Sequence, residues 1–120
     1  MEFTQLVTTI LNSYISENPH LSDIYRNQIE SIVEFRNEIN GYGAYSYFTL
    51  KPGFKKFPIE YSNQYGFNEH FIVMEGRRYE LGFLLSIADG HLDDLEIYPN
   101  DGEAWDGVVR PFFLSKVPRA

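Results

Sequence analysis

Residues 79–98 read Tyr-Glu-Leu-Gly-Phe-Leu-Leu-Ser-Ile-Ala-Asp-Gly-His-Leu-Asp-Asp-Leu-Glu-Ile-Tyr, and how they pair decides the fold. Tyr79, Leu81, Phe83, Leu85 and Ile87 fall on every second position, the period of a strand with one buried face. Asp89-Gly90 is a turn signal, and His91 to Tyr98 is a second strand. Burial then selects the register. A two-residue Asp89-Gly90 loop sets Asp94 and Glu96 opposite Leu85 and Phe83, which buries charge. A three-residue loop, Ala88-Asp89-Gly90 with Gly90 left-handed as a G1 bulge, sets Leu95 opposite Phe83 and Ile97 opposite Leu81. The second arrangement is expected, with Leu92, Asp94, Glu96 and Tyr98 sharing the opposite face.

Upstream of this hairpin, Glu69 to Glu75 reads as another strand, and Lys51 to Gly66 is irregular, broken by Pro52-Gly53, Pro58 and Asn63. Earlier still, Ile29, Ile32 and Val33 suit a helix, while Val33, Phe35 and Ile39 alternate with Glu34, Arg36 and Glu38. Asn40-Gly41, the dipeptide suited to a type I′ turn, decides for a hairpin of Ile32 to Ile39 with Tyr42 to Leu50. At the N-terminus Phe3, Leu6, Val7, Ile10, Leu11, Tyr14 and Ile15 make one helical stripe that Asn18-Pro19 ends. Ser22 is the expected N-cap of a second helix reaching about Glu30. Downstream, Trp105, Val108, Val109, Phe112, Phe113 and Leu114 are expected to return to the core. The whole predicts a single α+β domain over 1–120: two N-terminal helices packed on an antiparallel sheet of about five strands.

The totals agree with a chain that folds unaided. It has 120 residues, an apolar fraction of 43%, and 19 Tyr and Phe (9 + 10) against 2 Met, a bias toward sheet. Cysteine is absent, so no disulfide or thiolate metal site is expected, and a reducing, cytoplasmic compartment is the simplest expectation. MEFTQLVTTI lacks the basic segment and apolar core of a signal peptide, and no run approaches the ~20 apolar residues that span a bilayer. The net charge is −7. From Tyr79 to Val109 there is no Lys or Arg, yet Glu80, Asp89, Asp93, Asp94, Glu96, Asp101, Glu103 and Asp106 fall there. Such a field repels nucleic acid and anionic membrane and steers basic proteins inward, although solubility alone also accounts for it.

Chemistry finds little foothold. There is no Walker, dinucleotide or nucleophile-elbow motif. Gly41-Tyr42-Gly43 is followed by a strand pattern rather than the helix a phosphate loop needs. His20, His70 and His91 lack zinc spacing, and Asn100 to Asp106 does not fit a calcium loop, so no metal and no cofactor is expected. Paired carboxylates can hydrolyse glycosides, but a chain this short has little room for a deep cleft, and no catalytic residue is assigned. Trp105, flanked by Glu103 and Asp106, suits either a binding anchor or a core-capping ring.

Two sets of residues carry a resemblance. The first is Tyr25-Arg26-Asn27-Gln28-Ile29-Glu30, Arg36, and Gly41-Tyr42-Gly43 with its aromatic strand. The second is Gly82-Phe83-Leu84-Leu85, Asp89-Gly90-x-Leu92 and Leu95-Glu96. Across roughly Leu21 to Asp106 the chain resembles a small bacterial α+β family with these two hairpins, of a kind similar to immunity proteins of polymorphic toxin and contact-dependent growth inhibition systems. The resemblance implies an antidote held in the producing cell that binds and neutralises a cognate toxin domain. Many such toxins are nucleases, basic so as to hold phosphate, and an acidic surface captures them quickly. The expected contact residues are Asp94, Glu96, Tyr98, Asp101, Glu103, Trp105 and Asp106, with Glu96 open to an internal pairing with Arg36. The expected partner is a protein, with no nucleic acid and no membrane. The rival functions are a regulatory or adaptor domain that binds another protein, and a small carboxylate-dependent enzyme.

Overall fold

The computed structural model describes residues 2–61 and 63–116 of the chain; Met1, Ser62 and 117–120 of the expected 1–120 domain lie outside the described residues. Helix α1 (Phe3–Glu17) buries Leu6, Val7, Ile10, Leu11 and Tyr14, a stripe at the helical repeat. Each such side chain stabilises the fold by roughly 1.5–3 kcal/mol relative to exposure. Asn18 ends the helix: its side-chain amide donates to the Tyr14 carbonyl (2.9 Å) and to the Phe67 carbonyl (3.0 Å). A short 3-10 turn (Pro19–Leu21) runs directly into α2 (Ser22–Ser31). Ser22 is therefore already helical (φ −56°, ψ −40°) and is not the cap that its residue type suggests.

Strand β1 (Ile32–Ile39) follows α2 without a linker and pairs antiparallel with β2 (Ala44–Leu50). The expected hairpin is present, but its connection is a four-residue turn rather than a two-residue type I′ turn. Ile39 faces Ala44, and the Asn40 N–H donates to the Gly43 carbonyl at 3.2 Å. The Asn40 carboxamide oxygen accepts the N–H groups of Tyr42 and Gly43, closing the turn from its side chain. Beyond it come β3 (Gln64–Tyr65), β4 (Phe71–Met74), β5 (Leu81–Ala88), β6 (His91–Pro99) and β7 (Phe112–Ser115). All described pairings are antiparallel, in the order β1-β2-β6-β5-β4-β7 with β3 beside β5. Among the described residues the sheet thus has seven strands, more than the about five expected, in an α+β fold. One of the extra strands is a two-residue pairing inside the stretch that reads as irregular, and the other is the returning C-terminal segment.

The central hairpin corrects the expected register. Asp89 (φ 51°) and Gly90 (φ 79°) are both left-handed, the signature of a two-residue type I′ loop, and Ala88 faces His91. Ile87 faces Leu92 but Ser86 faces Asp94, so Asp93 is left over as a bulge. That one extra residue returns the apolar side chains to the core: Leu95 lies opposite Leu85 and Ile97 opposite Phe83. Burial chose the phase, as the sequence implies, but the bulge sits in the strand and not in the loop. Leu92 precedes it, and so is fully buried rather than on the face of Asp94, Glu96 and Tyr98.

The helices cover one face of the sheet. Tyr14 stacks on Tyr25 (5.7 Å) and meets Phe83 edge-on (6.0 Å), while Tyr25 meets Phe57 at 4.9 Å. Burial pushes the phenols of Tyr14 and Tyr25 up, the latter to about 12. Gln28 is the polar bolt of this core. Its amide nitrogen donates to the carbonyls of Lys55 (2.7 Å) and Gly90 (2.9 Å), and its oxygen accepts the Leu92 N–H (2.8 Å). No helix among the described residues is long and apolar enough to cross a membrane.

Candidate functional site

Strands alternate their side chains, so a sheet with helices on one face presents its other residues on the opposite one. Here Ala44, Ser46, Phe48, Phe83, Leu85, Leu95 and Ile97 point to the helices and are buried. Tyr45, Tyr47, Asp94, Glu96, Tyr98, Leu84 and Ser86 point away. Register arranges them in rows across four strands. One row runs Glu38, Tyr45, Glu96, Leu84, and the next runs Arg36, Tyr47, Asp94, Ser86.

Contacts within and between the rows make a single surface. The rings of Tyr45 and Tyr47 stack at 5.8 Å, and the Arg36 guanidinium lies 4.3 Å over Tyr47. The Glu96 carboxylate beside Tyr45 is the main cause pushing its phenol up. Asp94, partly desolvated between strands and beside Asp93 and Glu96, is pushed up to about 6, while the neighbouring Ser86 hydroxyl opposes the shift. Tyr98 lies over Gly82, where a Cβ would stand 2.6 Å from the ring, so only glycine lets the ring lie flat on the sheet. That contact places Tyr98 beside the two rows, and burial pushes its phenol up. Glu96 does not pair with Arg36, which is bonded to Glu38 on its own strand.

The loop after β6 is built differently. Asp101 receives the Arg77 guanidinium at 3.2 Å with both side chains about nine-tenths covered, and it also accepts the Glu103 N–H. Arg77 donates further to the carbonyls of Glu103 (2.9 Å) and Ala104 (3.3 Å). Asp106 pairs with Arg110 at 3.0 Å and caps the Val108 N–H; the Arg110 bond holds its carboxyl below the usual carboxylate range. Trp105 is 1% exposed and stacks on Phe3 at 6.1 Å, with its indole N–H on the Val108 carbonyl. It is a core ring, and the anchor alternative does not fit its burial. Glu103 and Asp106 are the exposed members of these four, and Asp106 is already engaged by Arg110. The structure thus brings Asp94, Glu96 and Tyr98 together and gives Asp101, Trp105 and Asp106 internal partners. Arg77 and Arg110 flank the acidic run in sequence, and the fold returns both to it.

Sequence reasoning passed over Tyr45 and Tyr47. Their signal was the alternation with Ala44, Ser46 and Phe48, whose small and apolar side chains mark the inward phase. The histidines sit in separate places. His70 Nδ1 is 3.3 Å from Glu17 and 2.9 Å from Asn68, and His91 meets Phe54 edge-on. Among the described residues no three His, Cys, Asp or Glu side chains converge to hold a metal ion. A cavity of about 90 Å³ lined by Leu21, Tyr25, Tyr65 and Ile87 is smaller than an ordinary ligand site.

Chemically, the open face offers stacked phenol rings bordered by carboxylates. Ring faces attract guanidinium and ammonium groups, and the carboxylates supply acceptors for their N–H donors. No family model, curated protein or solved structure matches the chain.

Proposed function

We propose that the chain is an immunity-type protein that neutralises a basic toxin domain, and that it binds through the open sheet face of Tyr45, Tyr47, Asp94, Glu96 and Tyr98. One observation carries this reading: the chain's own Arg36 lies on the Tyr47 ring at 4.3 Å, so the face already accommodates a cation. A partner's Lys or Arg would use the remaining aromatic surface and the Asp94 and Glu96 carboxylates. Paired strands carry these groups, so little backbone has to be ordered on binding. The net charge of −7 adds attraction at a distance. The resemblance over Leu21 to Asp106 supplies the biological setting, a toxin made beside its antidote.

The test is protection of growth. Cells expressing the toxin domain encoded beside this gene should survive with the wild-type chain and die with Tyr47→Ala/Glu96→Lys, a variant checked for native circular dichroism. Full protection by that folded variant would rule out this face as the neutralising surface.

A further inference from the structure

Strand β1 forms one edge of the sheet, and among the described residues it pairs only with β2. An exposed edge is a template for another strand, and proteins usually guard it with charges, proline or a bulge. A bulge interrupts this edge at one end only, where Val33 is skipped in the pairing between Ile32 and Glu34. The regular part, Glu34 to Ile39, carries charges of alternating sign on one face: Glu34, Arg36 and Glu38. Its other face carries Phe35, Asn37 and Ile39, and Ile39 is 52% exposed.

The backbone phase follows from the turn. The Asn40 N–H bonds the Gly43 carbonyl, and bonded and non-bonded pairs alternate along an antiparallel ladder. Arg36 and Glu38 therefore direct their backbone groups at β2, and Phe35, Asn37 and Ile39 direct theirs outward. A strand added to this edge must bond those three residues.

We propose that two copies of this chain associate through β1, antiparallel, with Asn37 facing Asn37 of the second copy. Other two-fold centres conflict with the side chains or the backbone. Centring on Arg36 or Glu38 sets identical charges face to face, at a cost. Centring on Phe35 runs Asn37 into the Val33 bulge of the second copy. Centring on Asn37 sets Arg36 against Glu38 twice and Phe35 against Ile39 twice, and it bonds only outward-facing residues. The edge is self-complementary in charge, in apolar contact and in hydrogen bonding at one register. The open faces of the two copies then join into one wider sheet surface. An edge pairing this short falls below the ~1,200 Å² of standard interfaces, so the dimer is a species of high protein concentration.

Sedimentation equilibrium from micromolar to millimolar protein tests this. The wild-type mass should rise from 14.0 kDa toward twice that value. Arg36→Glu alone and Glu38→Arg alone should each stay monomeric, because each sets like charges opposite. Their equimolar mixture should dimerise, since the two acidic side chains of one variant then face the two basic side chains of the other. The double exchange, Arg36→Glu with Glu38→Arg in one chain, should dimerise like wild type. A wild type that stays monomeric at millimolar concentration overturns the proposal. So does a dimer that the single exchanges leave intact, or a mixture that remains monomeric while the wild type dimerises.

Discussion

The carboxamide of Gln28 accepts the backbone N–H of Leu92 at 2.8 Å, joining the second helix to the start of β6 in the middle of the core. The same side chain donates to the carbonyls of Gly90 and Lys55, so all three of its bonds go to backbone. A buried side chain that satisfies three backbone groups from two distant segments fixes where the central hairpin meets α2.

Replacing Gln28 with leucine removes this partner from the Leu92 N–H and the Lys55 carbonyl, while the Gly90 carbonyl keeps the Phe57 N–H at 2.9 Å. An unsatisfied buried group costs ~1–3 kcal/mol, and partial relaxation makes ~2–4 kcal/mol the expected loss for the set. Urea unfolding should show a lower midpoint. Gln28→Glu should be at least as damaging, because a carboxylate cannot donate to either carbonyl. A midpoint within error of wild type for both variants would contradict the role assigned to this side chain.

Gly90 and Asp89 hold the hairpin turn in left-handed conformations. Gly90→Val should destabilise the protein by ~1–2 kcal/mol, since a β-branched residue tolerates that region poorly. A Cβ at Gly90 would also stand 3.3 Å from the Lys56 Cβ. Asp89→Asn, compatible with positive φ, should unfold near the wild-type midpoint. Equal losses at the two positions would be inconsistent with the type I′ turn.

Trp105→Ala should remove ~3–5 kcal/mol of stability, the range for emptying a large aromatic from a core. The indole is lost together with its stacking on Phe3 and its bond to the Val108 carbonyl. Binding per folded molecule should stay unchanged. A stable variant with weakened binding would make Trp105 a surface anchor after all.

The hairpins, the helical stripe and the inward phase of the strands were legible in the sequence because each is a local pattern with a burial reason. The position of the Asp93 bulge was not. A loop residue and a strand residue restore the apolar phase equally well, and the choice between them rests on backbone geometry at Asp89-Gly90. The candidate site was legible in half. Asp94, Glu96 and Tyr98 announce themselves on one strand, whereas Tyr45 and Tyr47 join them only through the pairing of β2 with β6. The loop acids misled for a similar reason. Arg77 and Arg110 lie outside the Tyr79 to Val109 run, so their pairing with Asp101 and Asp106 cannot be read along the chain.

Asp94 makes the open face sensitive to pH. Its folded pKa, about 6, lies above its ordinary 3.8, so the folded chain binds a proton that the unfolded chain releases between those values. Stability from this group is therefore fully present below its ordinary 3.8 and is lost as pH rises through about 6. Asp94→Asn should accordingly gain melting temperature over wild type near neutral pH, with the gap closing as pH falls toward 3.8. A gap that stays constant across that window would contradict the shift. Protonation also removes one negative charge from the face, so capture of a cationic partner should slow as pH falls through about 6.

The central claim is that the tyrosine and carboxylate face binds a basic partner. Stopped-flow association and dissociation rates with the toxin domain, at low and high salt, test it most directly. They should be measured for wild type and for Tyr47→Ala/Glu96→Gln. The face reading predicts fast wild-type association that slows as salt screens charges beyond ~8–10 Å. It also predicts faster dissociation of the variant, with a binding loss of at least ~2 kcal/mol. Identical association and dissociation rates for the folded variant and the wild type at both salt concentrations would contradict it.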